Sequence, residues 1–206
     1  MRAAAKSLHT GLRLEPEEFD SLVTEDDKAE WAEGEVWVAS PASERQEDLI
    51  TSIILILAGY VKAHRLGKVW GEQRQMRLDG RRYLPDVTFL AQSHLARSRS
   101  GYIDGPADLT VEIVSHDSVA RDAVVKMAQY ARHGVPEYWL IDPERQTCRM
   151  LQLAADGAYH DAIPDAEGRL FSVAVPGFWL RPTWLWSAGE TAIELDALRE
   201  LGVIPT

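Results

Sequence analysis

The stretch LTVEIVSHDSVARDAVVKMAQYARHGVPEYWLIDP, residues 109–143, decides the fold class. It opens with the strand pattern LTVEIVS, continues with the helical pattern SVARDAVVKMAQYARHG and closes with the strand pattern EYWLIDP. Gly134 and Pro136 end the helix, because glycine suits a helix C-terminus and proline cannot continue a helix. The segment therefore predicts two strands joined by a helix.

Further strand and helix patterns flank this segment. Residues 43–67 carry apolar side chains at helical spacing behind Ser43 and Gln46, which occupy capping-box positions, so a long helix is predicted there. We expect a short acidic helix within residues 13–30 and a last helix at ETAIELDALREL. The remaining strand patterns are EVWVAS, KVWGEQRQMRL, PDVTFL, CRMLQL and LFSVAV. This order fits an α/β fold, a mixed β-sheet flanked by α-helices.

Length and composition favour one domain. A chain of 206 residues with 46% hydrophobic residues can bury one substantial core. We expect residues 1–14 to be flexible and residues 187–206 to form a helical C-terminal extension. No stretch reaches the roughly 20 apolar residues of a membrane span, and the N-terminus lacks the apolar core of a signal peptide. We therefore expect a cytoplasmic protein without a membrane partner.

The net charge of −10 argues against a general nucleic-acid binder, but the charge is unevenly distributed. Residues 15–35 hold ten acids against Lys28, whereas residues 62–99 hold nine bases against three acids. The basic span could contact a polyanion. Its bases could equally be solvated and neutralise the acidic segment, and both interpretations stay open.

Three residues suggest metal-dependent hydrolysis. Asp86 follows Pro85 at the start of a strand, Glu112 lies inside a strand, and Lys126 lies on the next helix. Because Cys148 is the single cysteine, any metal is held by oxygen or histidine, and paired carboxylates suit Mg²⁺ or Mn²⁺. Such an ion can activate water for phosphodiester hydrolysis, with Lys126 orienting that water or balancing charge on the phosphorus.

Structural roles remain open for the same residues. Asp86 could cap a turn, Glu112 could lie on a solvated strand face, and Lys126 could form a surface ion pair with Asp122, four residues earlier. The chain has no P-loop, G-x-G-x-x-G or G-x-S-x-G motif, which disfavours NTPases, dinucleotide enzymes and serine hydrolases.

Several segments in order resemble the Uma-two (Uma2) family of predicted endonucleases, within the PD-(D/E)XK nuclease superfamily. Between about residues 15 and 186 these segments are EGEVWVASPAS, PDVTF, DLTVEIVS, RDAVVKMAQYARHGVPEYWLIDP and VPGFWL. The resemblance implies a restriction endonuclease-like core with a divalent metal at the strand ends, and Asp86 and Glu112 as its acids. The superfamily's usual lysine position is occupied by Val114, and Lys126 matches the lysine of the family pattern on the next helix.

The resemblance also implies auxiliary site residues. Glu35 and Gln46 match polar positions that line the site in similar proteins, although the capping box equally explains Gln46. The implied metal ligands are Asp86, Glu112 and Ile113. His116 and Asp117 depart from the family's Ser-Pro-Ser sequence, and they could contribute to the site or lie in a solvated loop.

The leading hypothesis is a Mg²⁺- or Mn²⁺-dependent endonuclease acting on DNA, and the resemblance favours a homodimer because two related sites can cut both strands. The alternative is a catalytically silent protein of the same fold that binds or regulates a partner. In that case Trp179, Trp184 and Trp186 could form an apolar interface, although aromatic residues commonly close a core. Hydrolysis of another phosphate ester is a third possibility.

Overall fold

The computed structural model describes residues 8–24, 27–72, 74–114, 121–189 and 192–205, with the side chains of residues 121–123 outside the description. In chain order the strands are β1 (Ala29–Ala32), β2 (Glu35–Val38), β3 (Gly67–Gly71), β4 (Gln75–Leu78), β5 (Arg81–Tyr83), β6 (Val87–Ala91), β7 (Tyr102–Asp104), β8 (Leu109–Ile113), β9 (Glu137–Asp142), β10 (Thr147–Leu153), β11 (Tyr159–Asp161), β12 (Leu170–Phe171) and β13 (Trp179–Leu180). The α-helices are α1 (Pro16–Leu22), α2 (Glu44–Ala63), α3 (Met127–Arg132), α4 (Pro182–Trp186) and α5 (Ile193–Glu200). A 3₁₀ helix spans Gln92–Arg97, and a π-helical segment spans Arg121–Lys126 and leads directly into α3.

The strands form two large sheets and one small one. Six strands pair in the order β11-β10-β9-β8-β6-β3, and five pair in the order β2-β1-β5-β4-β7, while β12 pairs with β13. In the six-stranded sheet, β8 is antiparallel to β6 and parallel to β9. The connection between β8 and β9 carries the π-helical segment and α3, as a parallel pair requires a crossover. The predicted α/β fold, a mixed sheet flanked by helices, is confirmed.

Alternation along β8 separates the two cores. Leu109, Val111 and Ile113 belong to the apolar cluster that includes the buried face of α2. Glu112, between Val111 and Ile113, points to the other face, where Tyr130 of α3 belongs to a second cluster. Since side chains on successive strand residues project to opposite faces, the sequence of β8 places one carboxylate between the sheet and α3.

Helix α2 begins with the predicted capping box. The Gln46 amide donates to Ser43 Oγ at 3.3 Å, and the Ser43 amide donates to Gln46 Oε1 at 2.9 Å. Arg45, two residues after the cap, donates to the carbonyls of Leu185, Trp186 and Ala188 at 2.7–3.1 Å. The end of α4 is therefore tied to the first turn of α2.

The C-terminal helix α5 packs on α2. The hydroxyl of Ser52 donates to the carboxylate of Glu194, and Ala197 on α5 is fully buried in the α2 core cluster. The described part of residues 187–206 therefore shares the main core. Trp184 is 3% exposed in the same cluster, and its ring lies 4.9 Å from that of Trp179. These aromatic residues close the core, as the structural interpretation of the Trp-rich end predicts.

Residues 10–14 run along the outer edge of β2. The Gly11 amide donates to the Val36 carbonyl, and the Val36 amide donates to the Leu12 carbonyl, both at 2.9 Å. Thr10 Oγ1 accepts from the Val38 amide at 3.0 Å. The described part of the N-terminal segment therefore extends the hydrogen bonding of the five-stranded sheet.

Two strand predictions need correction. The pattern KVWGEQRQMRL contains β3 and β4, which belong to different sheets, and the turn at Asp79 and Gly80 joins β4 to the short strand β5. Both turn residues have positive φ angles, 45° and 83°, which suits a tight hairpin. The pattern LFSVAV contributes only the two residues of β12. β1 was not predicted, because its acidic residues were assigned to the region around α1.

Several arginines of the basic span meet acidic partners. Arg77 and Arg82 both bind the carboxylate of Asp20 on α1, and Arg81 binds Glu33. This pairing supports the interpretation that the basic span neutralises the acidic N-terminal segment. None of the helices in the described ranges combines the length and apolar character that crossing a membrane requires.

Candidate active site

The pairing of β6 with β8 brings the two predicted acids together. Val87 pairs with Val111, so one step further along the antiparallel register Asp86 lies opposite Glu112. Residues directly opposite each other in such a pair project to the same face of the sheet. In addition, Asp86 Oδ2 accepts a hydrogen bond from the Ile113 amide at 2.5 Å. The register and this bond fix Asp86 beside the end of β8.

Glu112 is buried and has two side-chain donors. Its exposed fraction is 3%, Lys126 Nζ donates to Oε2 at 2.9 Å, and the Tyr130 hydroxyl donates to Oε1 at 2.7 Å. Lys126 and Tyr130 are four residues apart, a spacing that places side chains on one helix face. The alternative of a solvated strand face for Glu112 is therefore wrong.

Lys126 lies between two carboxylates. Its exposed fraction is 4%, and besides Glu112 it binds Glu30 Oε1 at 3.0 Å. Glu30, on β1, is 6% exposed and also accepts the Leu84 amide at 2.8 Å. Lys126 is therefore not on the helix surface, as the alternative of a surface ion pair with Asp122 requires, but joins the two sheets through buried ion pairs; the Asp122 side chain lies outside the description. Lys126 is the last residue of the π-helical segment, an element frequent at functional sites.

Tyr130 is held rigidly behind Glu112. Its ring makes edge-to-face contacts with Tyr83, at 5.4 Å between centroids, and with Tyr138, at 5.3 Å. Burial raises the pKa of Tyr130 well above its ordinary value, and the charges of Glu112 and Glu30 raise it further. The hydroxyl therefore stays protonated and remains a donor to Glu112.

Replacing Tyr130 with phenylalanine is expected to lower the free energy of unfolding by about 1–3 kcal/mol, since a buried carboxylate loses a donor. Urea unfolding measures this difference. Tyr60→Phe is the matched control, because the Tyr60 hydroxyl donates to the Pro176 carbonyl at 3.2 Å, away from Glu112. An unfolding free energy of Tyr130→Phe equal to that of the wild type would contradict the assigned hydrogen bond.

Glu112 and Lys126 line a cavity of about 340 Å³. Its charged lining residues, among those described, are Lys28, Glu30, Glu72, Asp86, Glu112 and Lys126. Gln46 and Ile113 also line it, and Gln46 Nε2 donates to the Ile113 carbonyl at 3.4 Å. Gln46 therefore both caps α2 and lines the cavity, so its capping role and its position at the cavity are compatible.

The structure places Glu35 differently from the other predicted residues. Glu35 begins β2 opposite Ala32, near the β1–β2 turn, and it is not among the described residues that line the cavity. Glu30 provides the acidic side chain from this hairpin instead. His116 and Asp117 lie outside the described residues.

Sequence reasoning missed Glu30, Tyr130, Lys28 and Trp37 as cavity or site residues. Glu30 lies between apolar residues in AEWA, the same pattern that indicated Glu112. It was instead assigned to the acidic segment of residues 15–35. Tyr130 stands four residues after Lys126, and this helical spacing could have identified it. Lys28 and Trp37 carry no comparable signal.

The donor set suits a hard divalent ion. The cavity wall carries four acids and two lysines among the described residues, so one divalent cation would balance the formal charge. No group of three or more His, Cys, Asp or Glu side chains in the described ranges is arranged to hold a metal. Mg²⁺ needs no such group, since it commonly binds through one or two carboxylates and keeps several waters. The carboxylates of Asp86 and Glu112 with the Ile113 carbonyl match this pattern.

Comparison with known proteins agrees with this arrangement. The profile of the Uma2 family, described as "putative restriction endonuclease", matches residues 16–183. The chain belongs to the Uma2 family. A solved structure from Anabaena variabilis, described as a putative nuclease belonging to DUF820, is 21% identical, with a TM-score of 0.70 over 84% of this chain and 98% of that chain. No curated protein matches the chain significantly.

The family and the structural likeness confirm the predicted restriction endonuclease-like fold. The description of the family suggests a nuclease.

Proposed function

We propose that this protein is a Mg²⁺- or Mn²⁺-dependent endonuclease that hydrolyses phosphodiester bonds of DNA. The observation that carries the proposal is the convergence of Asp86, Glu112 and Lys126 in one cavity. These residues come from β6, β8 and the helical segment after β8, far apart in the sequence. A purely structural ion pair would not require the additional carboxylate of Asp86 on the same face.

In this proposal Asp86, Glu112 and the Ile113 carbonyl hold the metal. When bound, such an ion polarises a phosphoryl oxygen and lowers the pKa of a coordinated water. Asp86 is fixed by the Ile113 amide, and Gln46 orients the Ile113 carbonyl. The protein thus fixes its oxygen donors before substrate arrives, which limits reorganisation during the reaction.

Lys126 and Glu30 complete the proposed site. Lys126 balances the charges of Glu30 and Glu112, holds Glu112 in one orientation and orients the attacking water. Glu30 fixes the ammonium from the opposite side and takes the auxiliary acidic role that the sequence assigned to Glu35. We also propose a homodimer, in which each protomer supplies one such site.

The Trp-rich end gives little support to a silent binding protein, because Trp184 lies in the core and the partly buried Trp179 and Trp186 pack against that core. The nuclease proposal also explains why two buried glutamates and a buried lysine occupy the wall of a cavity. Burial of three charges is costly unless they are paired, and such groups are frequently functional.

A metal titration tests the proposal. Supercoiled plasmid and single-stranded DNA incubated with the full chain are expected to be cut in millimolar Mg²⁺ or Mn²⁺ and to stay intact in excess EDTA. Adding the metal back after EDTA should restore cleavage, as measured by gel electrophoresis. Cleavage at the same rate with and without EDTA would contradict metal dependence, and absence of cleavage with every divalent ion would contradict the nuclease proposal.

A further inference from the structure

One wall of the cavity is apolar and aromatic. Trp37, Val38 and Ile50 line it beside the charged residues. Trp37 lies directly opposite Glu30 in the β1–β2 pairing, and it is half-buried. Coordinating a metal and a phosphate requires charged and polar groups only. An indole on the same wall therefore indicates that a further part of the substrate enters the cavity.

Lys28 supplies a cation at the solvent-accessible part of the cavity. Its side chain is 43% exposed and forms an ion pair with Glu72, which is 21% exposed. Lys126, by contrast, is buried and engaged with Glu30 and Glu112. An entering phosphate would therefore meet Lys28 first and could displace the carboxylate of Glu72 from it. An exposed ion pair of this kind contributes little stability, so replacing the Glu72 carboxylate by a phosphate costs little free energy.

We propose that the cavity binds one unstacked nucleotide of a DNA strand, with a phosphate at Lys28 and the base against Trp37, so that the preferred substrate is single-stranded or locally unpaired DNA. This inference rests on the proposed nuclease function and specifies its substrate class. In an intact duplex both faces of each base are covered by neighbouring bases. A side chain inside a cavity reaches a base face only when that base has left the stack.

The dimensions of the cavity agree with this substrate. A volume of about 340 Å³ lies at the lower end of the roughly 300–1,000 Å³ typical of pockets that enclose one small molecule. It suits a single nucleotide unit and not a base pair with two backbones. Aromatic stacking combined with a nearby cation is the usual mode by which proteins bind single strands.

Binding measurements separate the substrate preference from cleavage. The full chain carrying Asp86→Asn, which removes a proposed metal ligand, is titrated into a fluorescein-labelled ten-nucleotide thymidine strand and into the matching duplex. Fluorescence anisotropy is expected to show tighter binding to the single strand. Adding Trp37→Leu to the Asp86→Asn protein should weaken its binding to the single strand by roughly 5- to 150-fold, the range for loss of one base–aromatic stack. Trp37→Phe, which retains a ring, should keep most of the affinity.

Lys28 is tested by the salt dependence of binding. Each phosphate neutralised on a single strand contributes about 0.7 to the slope of log K against log salt concentration. Lys28→Ala is therefore expected to lower that slope by about 0.7, a change that a general loss of stability would not produce. Lys68→Ala is the matched control, because Lys68 is exposed on β3 and is not among the described residues that line the cavity.

The outcomes distinguish the two proposals. Equal affinity for single strand and duplex, or a strand preference that persists unchanged in a folded Trp37→Leu variant, would overturn the substrate inference and leave metal-dependent cleavage intact. An unchanged salt slope in Lys28→Ala would overturn the phosphate contact. Metal-independent or absent cleavage by the wild type, with the single-strand preference retained, would instead overturn the nuclease proposal. Circular dichroism and thermal unfolding confirm that each variant is folded.

Discussion

Replacing Lys126 with methionine is expected to lower the free energy of unfolding by about 3–5 kcal/mol and to abolish cleavage. Methionine has a similar length but no charge, so Glu30 and Glu112 would remain buried without their shared cation. Removing one partner of a buried ion pair is costly for this reason, whereas replacing the whole group by neutral residues often is not. Urea unfolding and a plasmid cleavage assay measure the two effects.

A triple variant separates stability from catalysis. Glu30→Gln, Lys126→Met and Glu112→Gln together remove all three charges, and most of the lost stability should return while cleavage stays absent. Lys62→Met, at an exposed position on the last turn of α2, should change stability by no more than about 0.5 kcal/mol. If Lys126→Met unfolds at the same urea concentration as the wild type, the ion pairs do not stabilise the structure as described.

Asp86→Asn is expected to reduce the cleavage rate by more than roughly 100-fold. Loss of a residue that only supports a metal ligand typically costs about 10- to 100-fold, and Asp86 is proposed to be a ligand itself. Asparagine can still accept the hydrogen bond from the Ile113 amide, so the local structure should persist. What it lacks is the negative charge, which a hard divalent ion requires. Initial rates at saturating Mn²⁺ and the Mn²⁺ concentration for half-maximal rate are the informative measurements.

Asp104→Asn is the matched control for this substitution. Asp104 is an exposed aspartate on β7 that pairs with Arg99, and it is not among the described residues of the cavity. Its replacement should leave cleavage within about twofold of the wild type. Comparable rates for Asp86→Asn and the wild type would remove Asp86 from the metal site.

Much of the site could be predicted because its residues break local patterns. Glu112 interrupts an apolar strand, and Asp86 follows a proline at the head of another. Each can therefore be recognised from the few residues around it. Their convergence was predicted from the residues and again from the resemblance, and the β6–β8 register gives it a physical basis. Lys126 was selected with the two acids and also matches the lysine of the family pattern, and its side chain binds Glu112.

Glu30 shows what sequence reasoning could not supply. Its position in the site depends on how the five-stranded sheet packs against the six-stranded one, and no local spacing encodes that long-range contact. Burial of the β1 residues was also hidden by the surrounding acids, since ten acids in residues 15–35 suggest a solvated segment. Glu35 was taken from the resemblance, whereas the glutamate that reaches Lys126 is Glu30, five residues earlier.

The N-terminal residues along β2 have a practical consequence for truncation. The family match begins at residue 16, yet residues 10–14 satisfy backbone groups of β2, the outermost strand of its sheet, and Thr10 contributes to the cavity wall. A shortened protein starting at Pro16 would expose that edge as a template for strand addition between molecules. Affinity tags are therefore better placed ahead of residue 8 with a spacer than fused directly to the family boundary.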